Sequence, residues 1–396
     1  MSPKFYRAHI MGFYLLTALV LWILSTPRVI GSGESGAGLL FSTIIIFLFF
    51  AFRYETGFDW MVYQQYFNAV KDSDFMDLTG ETVSMEPFYY LLNYIISRVG
   101  DFQLLLFVVA TINIICAFKF FRYFNASTTF CFAFVFCWAL LPMWMGTIRQ
   151  SLAVSMAMIA IMKRVDGKNK SSLIFMMISI LFQYSAIMYS FIYFNRVLSY
   201  LIKRSSFFIP AFFAFYLISP AGIGQFAVNF ISSLGIPFIS DKLSIYVTFG
   251  ASEKSFGAIL FSFTNCVLFF YSRKVVNRND LSGNIFLSAI FVLIATQTLF
   301  FDFALIWNRM LYLTCFIQAV LVYKILKNLI ISNRIIVYFS VVSLSMLSVY
   351  KLMSTDASIP FVPYQNYIVS DMFSEKGDGE KRALLYYQLF EENNGK

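Results

Sequence analysis

The chain has 396 residues, 59% of them hydrophobic and 13% charged, with 49 phenylalanines and a net charge of +9. A soluble domain of this length has no interior large enough for so much apolar surface. The basic residues stand in short clusters between apolar runs, as topology signals do, which speaks against a nucleic-acid partner. Strands of a membrane β-barrel would alternate apolar and polar residues over short segments, and no such pattern is present. The expectation is an all-α polytopic membrane protein.

Taken in chain order, about twelve apolar stretches approach the ~20 residues needed to cross a bilayer core. They cover roughly 10–26, 38–53, 102–121, 128–146, 147–163, 171–185, 186–201, 206–220, 256–272, 284–301, 304–323 and 335–350. Lys4 and Arg7 precede the first stretch in the manner of a signal peptide, but the many later spans favour a first transmembrane helix. Two longer polar segments, 54–101 and 221–255, interrupt the spans, and a tail runs from 351 to 396. We therefore expect a single integral membrane domain, 1–396, with external amphipathic or re-entrant segments and no internal repeat. A transporter built from duplicated halves would show such a repeat.

The clusters Lys163/Arg164/Lys168/Lys170, Lys203/Arg204, Arg273/Lys274/Arg278 and Lys324/Lys327/Arg334 follow one another two spans apart. They fall on one side, the cytoplasmic one, and Lys119 and Arg122 agree. Segments 54–101 and 221–255 then face outward. Counting back places the N-terminus outside despite Lys4 and Arg7, unless residues 86–99 dip into the membrane and change the count. All five cysteines lie in apolar runs without metal-ligand spacing, so they read as small buried apolar residues. With one histidine, His9, no His-based metal site can form.

Depth is the most informative pattern. Arg149, in TIRQSLAV, stands ~21 Å above the cytoplasmic end of its helix, and Arg309, in IWNRMLYL, ~22 Å above the end of its own. Gln183, in LFQYSA, stands ~20 Å above Lys170, and Arg53 closes its span at the outer end. One such arginine alone reads as a side chain snorkelling to lipid headgroups. Several at one level without matching acids point to an anionic ligand, because guanidinium stays charged when dehydrated and grips phosphate with two bonds. The stretch RYETGFDW (53–60) adds Glu55 and Asp59 just above that level. These two read either as a solvated loop or as site carboxylates. Glu86 opens EPFYYLLNYIISRVG, where Pro87 suits a first helical turn and the glutamate suits the helix dipole. Phe58, Trp60, Tyr63, Tyr66 and Phe67 give 58–70 an amphipathic, interface-lying character, fit for a belt or for stacking on sugar rings.

RYETGFDWMVY, EPFYYLLNYIISRVG, GTIRQSLAVSMAMIAI and ILFQYSAIM, in that order over residues 50–190, resemble the Wzy/EpsG family of bacterial polysaccharide polymerases. NRMLYL at 308–313 resembles a later family helix, and the far C-terminal part agrees only in hydropathy. Trp60 stands where tyrosine is usual and Gln183 where histidine is usual, so a histidine base there is not available to this chain. The resemblance implies a glycosyltransferase, multi-pass in the bacterial cytoplasmic (inner) membrane, acting at its outer, periplasmic face. It would transfer a growing glycan from undecaprenyl pyrophosphate to a lipid-linked repeat unit. It implies undecaprenyl-pyrophosphate-linked glycans and the bilayer as partners, with a chain-length regulator as a further one, and a product that is O-antigen, capsule or exopolysaccharide. Arg149 and Arg309 would hold the pyrophosphate, with Arg53 as third contact or gate. Asp59 or Glu86 would be the base, Asp59 ranking first beside Arg53. Tyr54, Glu55, Gln150 and Gln183 complete the substrate-binding set, and neither a metal nor a cofactor is required. The competing readings are a flippase for lipid-linked oligosaccharides, whose charges should run the length of a cavity, and an O-antigen ligase, whose outer loop should carry a histidine.

Overall fold

The computed structural model describes residues 3–31, 36–74, 85–224, 226, 254–277, 280–373 and 377–394. The described residues are helical, joined by short turns, with one isolated β-bridge between Arg53 and Asn366. Such a fold follows from the composition: in lipid every backbone N–H and C=O must be paired inside its own segment. Among the described residues seven helices are long and apolar enough to cross a membrane, eight if one bent pair counts as a span. Most of the expected external segment 221–255, and residues 75–84 of the other, lie outside the described residues.

The chain separates into two compact units, residues 1–186 with 326–396, and residues 187–325. The first unit is therefore discontinuous in sequence. It contains α1 (Pro3–Ile30), α2 (Gly36–Ala51), α3 (Trp60–Asp72), α4 (Pro87–Ser97), α5 (Phe102–Tyr123) and α6 (Thr128–Val135). A widely wound π stretch, Phe136–Gly146, continues α6 and carries Pro142, whose missing N–H and ring disturb the α ladder. Then come α7 (Ile148–Val165) and α8 (Asn169–Phe182).

The α7–α8 hairpin is closely packed. Ala and Ser along α7 let the backbones approach, and Ser172 and Ser179 donate across to the carbonyls of Ala160 and Ala153 at 2.8 and 2.7 Å. On the other face of α7, the Asn113 amide of α5 donates to Ser151 (2.9 Å) and accepts from Ser155 (2.7 Å). Every partner in this network is buried, so it fixes the rotation of α7 about its axis.

The second unit holds a 3-10 run, Tyr184–Tyr193, from Ile187 onward, then α9 (Asn195–Lys203), α10 (Ser205–Ile218), α11 (Phe256–Val275), α12 (Leu281–Leu299) and most of α13 (Ala304–Asn328). Three amides from α11, α12 and α13 join inside it: Asn265 donates to Gln297, and Gln318 donates to Asn265. The last turn of α13 returns to the first unit, followed by α14 (Ile331–Ser354), α15 (Tyr367–Phe373) and α16 (Gly379–Asn394).

The expected span 186–201 is not one helix. Gln183 is extended (φ −158°), a 3-10 run follows, and α9 meets α10 at an 84° bend. Averaged hydropathy hides the reason: Arg196, Lys203 and Arg204 give α9 a polar face that cannot lie against lipid tails. The stretches at 38–53 and 171–185 are helices of 16 and 14 residues. The five cysteines are free and buried.

Candidate active site

The RYETGFDW stretch is a tight loop between α2 and α3. Arg53 turns back beneath it and donates from Nη1 to the Thr56 carbonyl (3.1 Å) and to the Met145 carbonyl. Met145 is free to accept because the π stretch ends at Gly146 and Thr147 (φ −120°, ψ 74°) interrupts the helix before α7. Glu55 and Gly57 both adopt positive φ, +44° and +122°. At Gly57 any Cβ would lie 2.1 Å from the Met145 oxygen, so the loop reaches this carbonyl only because the residue is glycine. Arg53 is 2% exposed, with Tyr14, Tyr63, Tyr89 and Tyr364 around its charge. Through Nη1 the guanidinium holds the loop against the π stretch.

Glu86 is the N-cap residue of α4, yet its carboxylate makes no cap bond. It bonds Arg149 Nη1 at 2.5 Å and accepts the backbone N–H of Tyr184 at 3.3 Å. Arg149 was expected to lack an acid, and on its own helix it does. The partner comes from 63 residues earlier in the chain. Arg149 keeps 25% of its side chain exposed against 5% for Glu86, and its guanidinium lies 5.9 Å from the Tyr63 ring centroid. No side chain caps the start of α7, so the positive end of that helix dipole adds to the arginine. One residue on, Gln150 accepts from Ser185 at 2.9 Å, and the neighbouring Gln183 is buried. The structure thus brings Arg53, Glu86, Arg149, Gln150 and Gln183 together at one end of the first unit.

Asp59 is half-buried at the N-cap of α3, and the Tyr387 hydroxyl of α16 donates to the carbonyl of the preceding residue, Phe58, at 3.2 Å. Parts of the tail that the sequence places at 351–396 pair with this loop. Tyr54 N–H donates to the Gln365 carbonyl (2.9 Å), Tyr367 N–H to the Phe52 carbonyl (2.8 Å) and Gly57 N–H to the Pro360 carbonyl (3.0 Å). The Glu55 carboxylate accepts the Gly379 N–H at 3.1 Å, and its carbonyl accepts from Arg382 at 3.2 Å. Tyr54 lies 6.0 Å from the Tyr367 ring.

Five buried polar atoms beside this cluster make no hydrogen bond: Trp60 Nε1, Tyr66 Oη, Tyr89 Oη, Asn93 Oδ1 and Arg149 Nε. They sit on α3, α4 and α7, and Tyr89 packs against Tyr63 and Tyr66 at 5.6 and 5.9 Å between ring centroids. Sequence patterning flagged Trp60, Tyr63 and Tyr66 as amphipathic aromatics fit for a belt or for stacking on sugar rings, and did not single out Tyr89 or Asn93. Arg309 lies in the second unit, half-buried on α13, and its carbonyl accepts from Tyr189 at 2.8 Å. Among the described residues no three His, Cys, Asp or Glu side chains group closely enough to hold a metal.

No curated protein and no solved structure matches the chain. A family model described as the EpsG family matches residues 38–366, which include every candidate residue named from the sequence. That match covers well over half of the chain, and it agrees in order with the segments that meet around Arg149: the chain belongs to the EpsG family.

Proposed function

We propose that the protein polymerises a bacterial polysaccharide, transferring a glycan from undecaprenyl pyrophosphate to a lipid-linked repeat unit at the outer face of the cytoplasmic membrane. Its family makes it a membrane protein of polysaccharide-polymerase type. The reaction is the finer reading, and one observation carries it: a part-exposed guanidinium at the uncapped start of α7, aligned by a buried carboxylate, among side chains from four separate sequence segments.

In this reading the acceptor hydroxyl oxygen attacks the anomeric carbon of the donor glycan. The C–O bond to the pyrophosphate breaks, and the bonding pair leaves with the lipid pyrophosphate. Arg149 and the first N–H groups of α7 meet that departing charge, as pre-placed positive groups do where charge develops. Glu86 has both oxygens engaged, by Arg149 and by Tyr184 N–H, so we assign it to holding Arg149 in place. Asp59 takes the proton of the acceptor hydroxyl. Arg53 holds the loop that carries Asp59. Arg309 remains a candidate cation on the sequence argument.

The test is deletion of the gene followed by surface-glycan gels, then complementation. Loss of polymer with single repeat units retained is the expected result. Loss of every surface form, with lipid-linked units trapped inside, would identify a flippase instead. Arg149→Lys keeps charge and loses the two-pronged grip, and Asp59→Asn removes the base. Each should abolish long chains while the protein still inserts. Normal ladders from Arg149→Lys would sink the pyrophosphate assignment. Arg309→Lys is read in the same gel.

A further inference from the structure

We propose that α16, the C-terminal helix beyond the family-matched segment, is a working part of the site, with Arg382 and Tyr387 as positioning residues for Asp59. The inference rests on the polymerase reading for its activity measurement.

Arg382 is buried to 8% exposure, and all three of its nitrogens are engaged. Nε donates to Asp378 at 2.8 Å and Nη1 to the Pro363 carbonyl at 3.0 Å. Nη2 is shared between Gln365 (3.0 Å) and the Glu55 carbonyl (3.2 Å). One side chain thereby ties α16 and the strand-like segment before α15 to the loop at a residue with positive φ. Such a backbone state persists only where surroundings hold it. The approach is too close for any side chain at Gly379, where a Cβ would lie 2.4 Å from the Glu55 carbonyl oxygen.

Two turns along α16, the Tyr387 hydroxyl donates to the Phe58 carbonyl at 3.2 Å and stands near the Asp59 carboxylate. Tyr386 packs 5.3 Å from the Phe58 ring. The hydroxyls of Tyr63 on α3 and of Tyr386 and Tyr387 on α16 are among the groups near Asp59. Burial first, then the Asp59 carboxylate, push Tyr387 up to about 12, so it is a proton-bearing donor throughout the working range. A loop that carries the base needs its carboxylate aimed. Here the aiming groups come from a helix that the matched segment, ending at residue 366, does not include.

The experiment uses the full-length protein in liposomes, with lipid-linked repeat units extracted from the deletion strain, and records initial polymer formation. Tyr387→Phe keeps the ring and removes only the hydroxyl. It should lower the rate about threefold to tenfold, the size of one hydrogen bond to a neutral carbonyl, with little change in melting temperature. Read over a range of unit concentrations, kcat should fall while KM holds, because the hydroxyl braces the loop backbone and touches no substrate. Arg382→Gln should lower the rate at least as far. Arg382→Lys should not rescue it, since one ammonium cannot span four acceptors on three chain segments. Wild-type rate in both Tyr387→Phe and Arg382→Gln would overturn the assignment while leaving the polymerase reading intact. A wild-type protein that makes no polymer from these units would overturn both.

Discussion

Substituting Gly57 by alanine isolates the geometry that the whole site rests on. Two costs follow from the structure. The residue sits at φ +122°, a region that side chains rarely enter, worth about 1–3 kcal/mol. The new Cβ would also stand 2.1 Å from the Met145 oxygen, where ordinary contact begins at 3.4 Å. The carbonyl must retreat by more than about 1 Å, which surrenders its bond to Arg53, worth about 1.5–3 kcal/mol for a charged donor. Together these come to about 3–6 kcal/mol. Gly167, in the α7–α8 turn, is the matched control: its φ is also positive, +76°, but a Cβ there meets nothing within 4 Å. Gly167→Ala should therefore cost only about 1–2 kcal/mol. The five buried thiols supply the readout, since a thiol-reactive dye labels them only as the detergent-solubilised protein unfolds. Gly57→Ala should melt well below Gly167→Ala and make no long polymer. If the two variants melt together, the close approach of loop and π stretch is not what holds this region.

Two further outcomes concern stability. Glu86→Gln strips Arg149 of its carboxylate; because Arg149 is a quarter exposed, about 2–3 kcal/mol should be lost rather than the ~3–5 of a fully buried pair. Adding Arg149→Gln should recover part of that loss, and a double-mutant cycle by thermal melting checks the coupling. Asn113→Ala leaves the Ser151 and Ser155 hydroxyls to find new partners and should cost about 1–3 kcal/mol in the same assay, with α7 free to rotate and polymer yield reduced.

Hydropathy made the helices legible because each carries its own hydrogen bonds and needs little from its neighbours. It misjudged 186–201, where the apolar average conceals a helix with Arg196 and Lys203 on one side and an extended Gln183 at its entrance. Depth arithmetic set Arg149 and Gln183 at one height, level with the outer end of the span that Arg53 closes, since 1.5 Å per residue is a reliable ruler along a helix. The same ruler says nothing about which way a side chain turns. It could not show that Arg53 faces inward to carbonyls, nor that the acid for Arg149 arrives from Glu86. The tail was opaque for a different reason. Its ties to the loop are mostly backbone bonds and one arginine, and neither leaves a periodic trace in the sequence.

The first unit begins at the N-terminus and is finished by the last 71 residues, after the whole of the second has been made. During synthesis the RYETGFDW loop leaves the ribosome some 300 residues ahead of the segment that pairs with it, from Pro360 onward. At ~5–20 residues per second that interval is roughly 15–60 s. For that time Phe52, Tyr54 and Gly57 lack their backbone partners, although the Arg149–Glu86 pair can already form. The nascent protein therefore passes through an inserted, half-assembled state. Its competence arrives in one late step, when the C-terminal segment closes on a loop made long before. A chain stalled anywhere before residue 360 would be an inserted membrane protein whose loop lacks the tail contacts described above.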